Sequence, residues 1–561
     1  MTNARGGTAL LALAIVFGST FAAVAAGGHV FHDLNLDGVR DPDEPGVAHV
    51  SVSNGRDVVL TGDDGSYRIG LEQGDVLFVT KPSGYAVPRD EHNLPVFYYV
   101  HDPAGTPGEM GLRYAGVPPT GPAPDSIDFP LERVDEPDRF RVILFADPQP
   151  QTVAELEYMR DDVIDELVGV EAAFGITLGD IVYDDLSMYP RYNRIVSQVG
   201  IPWYNVAGNH DLNALAPNDR YSLETFKRTY GPPYYSFDYG EVHFVVLDDV
   251  DYLGSNAGME RPHARGQGLY EGRISPTQLA WLERDLSHVP QGRLVVVAMH
   301  IPFSSFNQED NPQRHVANRA ELFALLAERE RVFAVAGHMH TAEHHYFGPE
   351  EGFAGSEPLH QHVIATVSGS WWSGPFDEHG IPTTWQRDGT PNGYYVMTVD
   401  GSQYALRFKA AGKPAGYQMQ IMLDSSYHRY NQSGMRDFRM GQLLGSPIDR
   451  DQVPSTEVLV NLFDGGEHSR LVLRIDDRLP VEMKRVIRND PFIEELFLRN
   501  AETRKPWVKV EPTSHLWAAR LPADLAAGVH RVHVRASDEY GRIHEANRVL
   551  EIVDSAGGGS D

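Results

Sequence analysis

Five short runs in this 561-residue chain place metal-capable side chains directly after apolar stretches. They are Asp147-Pro148-Gln149; Gly179-Asp180-Ile181-Val182-Tyr183-Asp184; Gly208-Asn209-His210-Asp211; His300 after Val297-Ala298-Met299; and Gly337-His338-Met339-His340. The chain has no cysteine. That excludes thiol catalysis, thiolate zinc, iron–sulfur clusters and disulfides together. A metal here must be held by Asp, Glu, Asn, Gln, His or Tyr, and 24 histidines supply ample imidazole. Such an oxygen and nitrogen set suits Mn, Fe, Zn or Mg rather than a closed structural zinc site. Taken singly, each run has an ordinary explanation: an Asp after a strand caps a helix or forms a turn, and a glycine serves a turn. Five in order, each at a strand end, carry the functional reading.

The elements that must position these runs are legible as period and length. Phe140 to Ala146, Phe174 to Leu178, Pro202 to Val206, Val242 to Leu247, Leu294 to Met299 and Val332 to Ala336 read as buried strands. Val153 to Leu167, Gln278 to Leu286 and Val316 to Glu328 carry helical spacing between them. Open sheets of this α/β pattern bind ligands outside the carboxyl ends of their strands, so the five runs are expected at one edge. Upstream, residues near 28–113 read as a small β-domain. His49 to Ser53 alternates, Asn54-Gly55 is a hairpin turn, and Val76 to Thr80 is a further strand. Residues 102–137 are rich in Pro and Gly, which predicts a linker or wrapping segment. Downstream of about residue 411, Thr456 to Phe463, Arg470 to Ile475 and Val529 to Ala536 alternate, which predicts a sandwich. The tail Ser555 to Asp561 is expected to be disordered.

The pattern D-x-Q … G-D-x-x-x-D … G-N-H-D … H … G-H-x-H resembles that of the calcineurin-like metallophosphoesterases, over residues 138–410. The flanking segments resemble a bacterial subgroup with β-domains on both sides. The resemblance implies an α+β (α/β-like) fold: a two-sheet β-sandwich flanked by helices, with an N-terminal Ig-like β-domain and a C-terminal β-sandwich domain. The implied boundaries are 1–26 signal, 27–113 N-terminal domain, 114–137 linker, 138–410 phosphoesterase, 411–553 C-terminal domain and 554–561 tail. It further implies two divalent metal ions, with Asp147, Gln149 and His340 on one, Asn209, His300 and His338 on the other, and Asp180 bridging. His210 would assist the leaving group, with Asp211 hydrogen-bonded to it as its orienting carboxylate. Two cations about 4 Å apart activate a water as hydroxide and clamp the phosphoryl oxygens of an in-line displacement. The substrate would be a small phosphomonoester or phosphodiester.

Two departures stand out. Gln149 occupies a position where many relatives have His, and Gln is a weaker, neutral donor. Tyr183 lies three residues after Asp180, as in the G-D-x-x-Y of purple acid phosphatases, and Val297-Ala298-Met299-His300 fits their V-x-x-H. An iron enzyme using Tyr183 is therefore an alternative, although D-x-Q in place of D-x-G favours a packing role for that ring. A non-catalytic surface module with a vestigial phosphoesterase fold is the other alternative.

Lys+Arg 48 against Asp+Glu 78 gives a net charge of −30. A broad basic nucleic-acid surface is thereby excluded, while bound metal ions can still attract a phosphate locally. Arg5, the apolar run Ala9 to Phe17 and the small residues Ala23-Val24-Ala25-Ala26 read as a secretory signal cut after Ala25 or Ala26. That predicts an exported protein, periplasmic or extracellular, without a membrane span. Asp33, Asn35, Asp37, Val39 (through its carbonyl), Asp41 and Glu44 fit a twelve-residue calcium loop with Gly38 at its sixth position. Trp371 and Trp372 lie in a Gly/Ser-rich loop after a predicted strand Val363 to Val367 and are candidates to stack on substrate. His344 and His345 either face the pocket or lie on a solvated turn. Asp248 and Asp249 also end a strand, but the family resemblance implies no ligand role for them. Loops 212–240, 251–273 and 301–315 are expected to set specificity.

Overall fold

Apolar runs without alternation become strands covered on both faces. In a computed structural model, which describes residues 24–254, 269–307, 311–423 and 447–554, these runs form two sheets rather than one. Trp203–Val206, Phe174–Leu178 and Arg139–Phe145 pair in parallel, and the sheet continues through antiparallel Gly393–Asp400 and Gln403–Ala410. The second sheet runs Tyr235–Tyr239, Val242–Val246, Leu294–Ala298, Arg331–Ala336, Leu359–Val363, Glu343–Phe347. Val142, Leu144, Ile176 and Leu178 of the first sheet share one core with Val245, Val297 and Val335 of the second. Ile143 and Phe145 face the other way, against Leu156, Tyr189 and Tyr192 of the flanking helices. This is the two-sheet sandwich with outer helices. The expectation of a single sheet edge is corrected: three of the five motif-bearing strands belong to one sheet and two to the other, so the motifs meet at the rim between sheets.

Local chemistry explains where elements start and stop. The helix Pro276–Ser287 is capped by Ser275, whose side chain accepts from the Gln278 amide, with Pro276 in the first turn. The helix predicted over 316–328 forms only as Arg319–Leu326, because Val316 is held by Pro302 O and bridges Gly272. The helix predicted over 153–167 shortens to Val153–Met159 and then widens into one π turn, Arg160–Ile164. Asp162 on that turn accepts from Asn392 Nδ2 at 2.7 Å. The strand predicted over 363–367 is shifted. Leu359–Val363 is the strand, and the following residues cross between sheets, with Ile364 N on Ala336 O and Val367 N on Ala146 O.

The N-terminal domain packs two four-stranded sheets, Ser66–Leu71, Val24–His32, Phe129–Arg133, Tyr85–Ala86 and Val58–Leu60, Ser51–Ser53, Asp75–Val79, Tyr98–His101. Residues 114–137, expected as linker, thus contribute the strand Phe129–Arg133, which runs parallel to Val30–His32. The cleavage point expected after Ala25 or Ala26 falls within Val24–His32, whose first residues pair with Ile69–Leu71. Residues 1–23, the tail from 555, 255–268 and 308–310 of two of the three expected specificity loops, and 424–446 lie outside the described residues. The C-terminal domain has a four-stranded sheet (Met419–Leu423, Glu457–Leu462, Thr513–Arg520, Lys484–Arg488) against a five-stranded one containing Ile543–Val553, Gly528–Ser537 and Arg470–Ile475. It is tied to the phosphoesterase sandwich by buried polar contacts, including His515 Nε2 to Asp388 Oδ2 at 2.9 Å and Asn461 Nδ2 donating to Asp388 O at 3.0 Å.

Candidate metal centre

Five of the seven candidate donors leave their strands on strained backbone. Of the twelve non-glycine residues with positive φ among the described residues, eight are Asp147, Gln149, Asp180, Asp184, His338, His340, Trp371 and Trp372. Each left-handed residue costs about 1–3 kcal/mol and persists where its surroundings over-determine it, a signature of functional sites. Two motif glycines admit this crowding. A Cβ on Gly208 would lie 2.2 Å from the Asp180 amide nitrogen, and one on Gly337 would lie 2.5 Å from Asp147 Oδ2.

All seven predicted metal-site residues converge. Gln149, Asp180, Asn209, His338 and His340 line one cavity of about 190 Å³ together with His210, and Asp147 and His300 lie buried beside them. His300 Nε2 stands 3.1 Å from Asn209 Oδ1, 3.4 Å from Asp180 Oδ2 and 3.2 Å from His338 Nδ1. Gln149 Nε2 donates to Asp180 Oδ2. His340 Nε2 faces Asp147 Oδ1 at 3.7 Å.

The hydrogen bonds behind the ligands fix which nitrogens are free for a cation. His300 Nδ1 lies 2.9 Å from Leu178 O, His338 Nε2 2.7 Å from Gln313 O, and His340 Nδ1 2.8 Å from Gly369 O. A carbonyl only accepts, so each of these nitrogens carries a proton and the opposite nitrogen is the one turned inward. His300 Nε2 and His338 Nδ1 therefore face one another beside the Asn209 and Asp180 oxygens, where a divalent cation would replace the proton on His300. Asp147 Oδ1 and Gln149 Oε1 are buried with no hydrogen-bond partner. The donors present fit divalent metals, and their chemistry is the hard oxygen and imidazole set expected from the sequence.

The ionisable groups of the nest shift one another strongly. Burial pushes the Asp147 carboxyl up to about 7, with Asp180 adding to the rise. Burial opposes charge on His300, yet Asp180 and Asp147 outweigh it and hold the imidazole at about 10. Burial, with Arg387 and His210 adding to it, takes His340 down to about 3, which leaves the imidazole neutral. Burial would raise Asp180, but His300 and His210 hold it below the ordinary carboxylate range.

Around this nest the structure sorts the remaining candidates. His210 lines the cavity, and its Nδ1 pairs with Asp184 Oδ1 at 2.7 Å. The expected Asp211 contact is corrected. Asp211 accepts from Gly208 N at 2.9 Å, Ile181 N at 3.2 Å and Tyr189 Oη at 2.9 Å, so it braces the two motif loops from below. Consecutive side chains of a turn diverge, which is why the neighbour in sequence is not the partner in space. Burial opposes a charge on His210, but Asp180 and Asp184 carry it up to about 9. Tyr183 stacks on His210 at 4.1 Å and so packs, as the D-x-Q motif favours.

The two tryptophans separate. Trp371 stacks on His340 at 3.9 Å and lines the cavity. Trp372 is buried and donates Nε1 to Pro148 O at 2.8 Å, so the structure gives it an anchoring role and no substrate face. His344 and His345 are turned away from the cavity. His344 is buried toward the C-terminal domain, and His345 stacks on Phe306 at 4.3 Å and pairs with Glu343 at 2.8 Å. Asp249 accepts the Ile301 amide at 2.7 Å, a structural use.

The cavity also holds residues the motifs did not reveal: Arg387, Arg314 and Tyr270. Arg314 falls in a loop already expected to set specificity, whereas nothing in the local pattern flags Arg387. Arg387 is held by Met339 O at 2.9 Å and by Glu511 of the C-terminal domain at 3.1 Å. Burial lowers its guanidinium to about 10, which leaves it charged at neutral pH. A larger cleft of about 500 Å³ between the N-terminal domain and the sandwich is lined by Arg56, Asp75, Glu224 and Lys227. Those charges are already satisfied as Arg56–Asp75 at 2.6 Å and Lys227–Glu224 at 2.5 Å.

In the predicted calcium loop, Asp33 accepts the Leu36 amide at 2.7 Å and the Gly38 amide at 2.8 Å, and Glu44 accepts those of Leu34 at 2.7 Å and Asp41 at 2.9 Å. Asn35 donates to Asp37 at 3.2 Å and to Asp41 at 3.1 Å, and the Val39 amide meets Asp37 at 2.8 Å. The loop oxygens thus turn about its own amides.

A two-sheet sandwich with a sulfur-free nest of oxygen and imidazole donors at its rim defines a metallophosphoesterase domain. The chain belongs to the calcineurin-like phosphoesterases. The profile described as "Calcineurin-like phosphoesterase" matches residues 140–342, and those described as the N terminal and C terminal of such proteins match 34–113 and 361–544. Among curated proteins, the chain is similar to a "Probable glycerophosphodiester phosphodiesterase" of Arcobacter nitrofigilis, 24% identical over 31% of this chain and 58% of that protein. It is also similar to tartrate-resistant acid phosphatase type 5 of Oryctolagus cuniculus, 28% identical over 40% of this chain and 66% of that protein. Purple acid phosphatase 23 of Arabidopsis thaliana is 28% identical over 26% of this chain and 29% of that protein. The chain therefore spans less than two thirds of the length of these relatives. A solved purple acid phosphatase from yellow lupin (Lupinus luteus) seeds aligns at 15% identity and a TM-score of 0.33, over 65% of this chain and 67% of that one.

Proposed function

We propose that this protein is an exported, binuclear metal-dependent phosphoesterase acting on a small phosphate ester. The observation that carries the reading is the convergence of imidazole nitrogens and carboxylate and amide oxygens from seven side chains in and beside one small cavity. Asp147, Gln149 and His340 would hold one ion, Asn209, His300 and His338 the other, with Asp180 between them. Bound there, two divalent cations supply Lewis acidity to the phosphoryl oxygens and to an attacking water.

The chain's own residues do the rest. Asp184 fixes His210 through Nδ1, which leaves Nε2 to hand a proton to the departing oxygen. Arg387 and Arg314 bring positive charge to the cavity for the ester's remaining oxygens. Trp371 supplies an apolar wall beside His340.

A substrate panel tests this: bis-p-nitrophenyl phosphate and p-nitrophenyl phosphate after chelation and readdition of Mn, Zn, Mg or Fe. Metal-restored hydrolysis that is lost in Asp180→Asn is expected. Absence of hydrolysis with every ester and metal would favour the binding-module reading. A visible charge-transfer band in the iron-loaded protein, lost in Tyr183→Phe, would favour the iron–tyrosinate reading that the similarity to acid phosphatases keeps in view; the stacking of Tyr183 on His210 speaks against it.

Export rests on the N-terminal signal pattern. Among the described residues no helix is long and apolar enough to cross a membrane. The loop Asp33–Glu44 is proposed to take one structural calcium. Calcium should raise the melting temperature of the chelated protein, and Asp33→Ala should abolish that shift.

A further inference from the structure

Away from the catalytic rim, the outer strands of the six-stranded sheet carry a second cluster of imidazoles. His344 and His362 are direct partners in the antiparallel pair Glu343–Phe347 and Leu359–Val363, and His360 follows on the same face two residues before His362. Their rings stack, His344 on His362 at 3.9 Å and His344 on His360 at 5.2 Å. The C-terminal domain delivers Asp464 onto this face, just after its strand Glu457–Leu462. Asp464 Oδ1 lies 2.8 Å from His362 Nε2 and 3.5 Å from His344 Nε2. His344 and His362 are 2% and 0% exposed, and Asp464 is 7%. Ligating atoms of the three lie within 4.8 Å of one another, as those of Asp180, His300 and His338 do at the catalytic rim.

We propose that His344, His362 and Asp464 form a third metal site, closed and structural, that clamps the C-terminal domain to the phosphoesterase sandwich. Two imidazoles and one carboxylate without sulfur select a first-row transition dication such as zinc over calcium or magnesium. The shell behind the ligands is built for it. His344 Nδ1 meets His360 Nε2 at 3.0 Å, His360 Nδ1 meets Tyr404 Oη at 2.9 Å, and Tyr395 donates its hydroxyl to Asp464 Oδ1 at 2.9 Å. Such partners orient ligands and fix their tautomers. His344 Nε2, the atom that would face the ion, is buried 3.5 Å from Asp464 Oδ1 and makes no hydrogen bond. Burial, with His344 beside it, takes His362 down to about 4, while on His344 burial is outweighed by Asp464, which raises it, so an ion at this site would displace a proton from His344. Enclosure denies a substrate access, so the ion's work is cohesion between domains.

The test uses the full chain carrying Asp180→Asn and His300→Ala, which disable the binuclear centre, purified from zinc-supplemented cells in excess calcium and dialysed against a chelator. Elemental analysis should find about one zinc per chain, lost when His362→Gln is added, and prolonged chelation at raised temperature should lower the melting temperature only while His362 is present. A chain with the cluster intact that holds no zinc would overturn the proposal without recourse to any cluster variant; the cluster would then hold a proton. One zinc retained despite His362→Gln would overturn it equally.

Discussion

Asp184 Oδ1 lies 2.7 Å from His210 Nδ1, and Tyr183 covers the same imidazole ring at 4.1 Å. The ring that faces the cavity is thus held by a carboxylate from a different motif, while the adjacent Asp211 faces the loop backbones. His210→Ala should lower kcat by roughly 10²–10⁴-fold, the usual contribution of a positioned acid. Asp184→Asn should lower kcat by a smaller factor with KM little changed, because the ring stays in place but loses its anchor. Asp211→Asn should instead lower the melting temperature. Equal kcat losses in the two Asp variants, with stability unaffected, would refute this division of roles.

Gln149 is one of two amides in the proposed donor set, with Asn209, and its Oε1 is buried without a partner. Gln149→His should slow metal loss to a chelator, because imidazole binds a divalent transition metal more tightly than an amide oxygen does. Residual activity followed over time in chelator measures it. Faster inactivation of the variant would count against Gln149 as a ligand.

Arg387 joins the cavity to Glu511 of the C-terminal domain at 3.1 Å. Arg387→Met removes a charge suited to a doubly ionised phosphoryl group. KM for the monoester should rise by roughly tenfold, the equivalent of about 1.4 kcal/mol, and KM for the diester by less. Identical effects on both substrates would show that the guanidinium supports the fold rather than the ester.

A pH effect on stability is expected far from the metals. His243 is buried with Nδ1 2.7 Å from Asp238 and Nε2 2.8 Å from Asp285. Arg293 also pairs with Asp238, at 2.7 Å, and Lys81 Nζ donates to Asp238 O at 2.6 Å. Burial opposes its charge, but Asp285 and Asp238 raise His243 to about 9. The unfolded chain releases that proton near 6.5. Between these values the folded state binds a proton that the unfolded state does not. The stabilisation is therefore fully present below about pH 6.5 and is lost as pH rises through about 9. Melting temperatures from pH 6 to 10 should fall over that window, and His243→Gln should flatten the fall. An unchanged slope in the variant would assign the effect to other groups.

The sequence by itself determined the donors and their order. Asp147, Gln149, Asp180, Asn209, His300, His338 and His340 each follow an apolar run, and strand length and local turn chemistry are enough to put them at strand ends. It also determined that sulfur takes no part and that β-rich segments flank the middle domain. Tertiary structure decided everything that depends on which surfaces meet. It divided the strands between two sheets, since an apolar run records burial but not its partner. It gave His210 to Asp184 across 26 positions of chain, and it turned Trp371 to the cavity and Trp372 into the core although they are neighbours. It brought Arg387 to the cavity and Asp464 to His344 and His362, contacts between distant loops that leave no local period. Short-range sterics are written residue by residue; long-range pairing exists only once the chain has closed on itself.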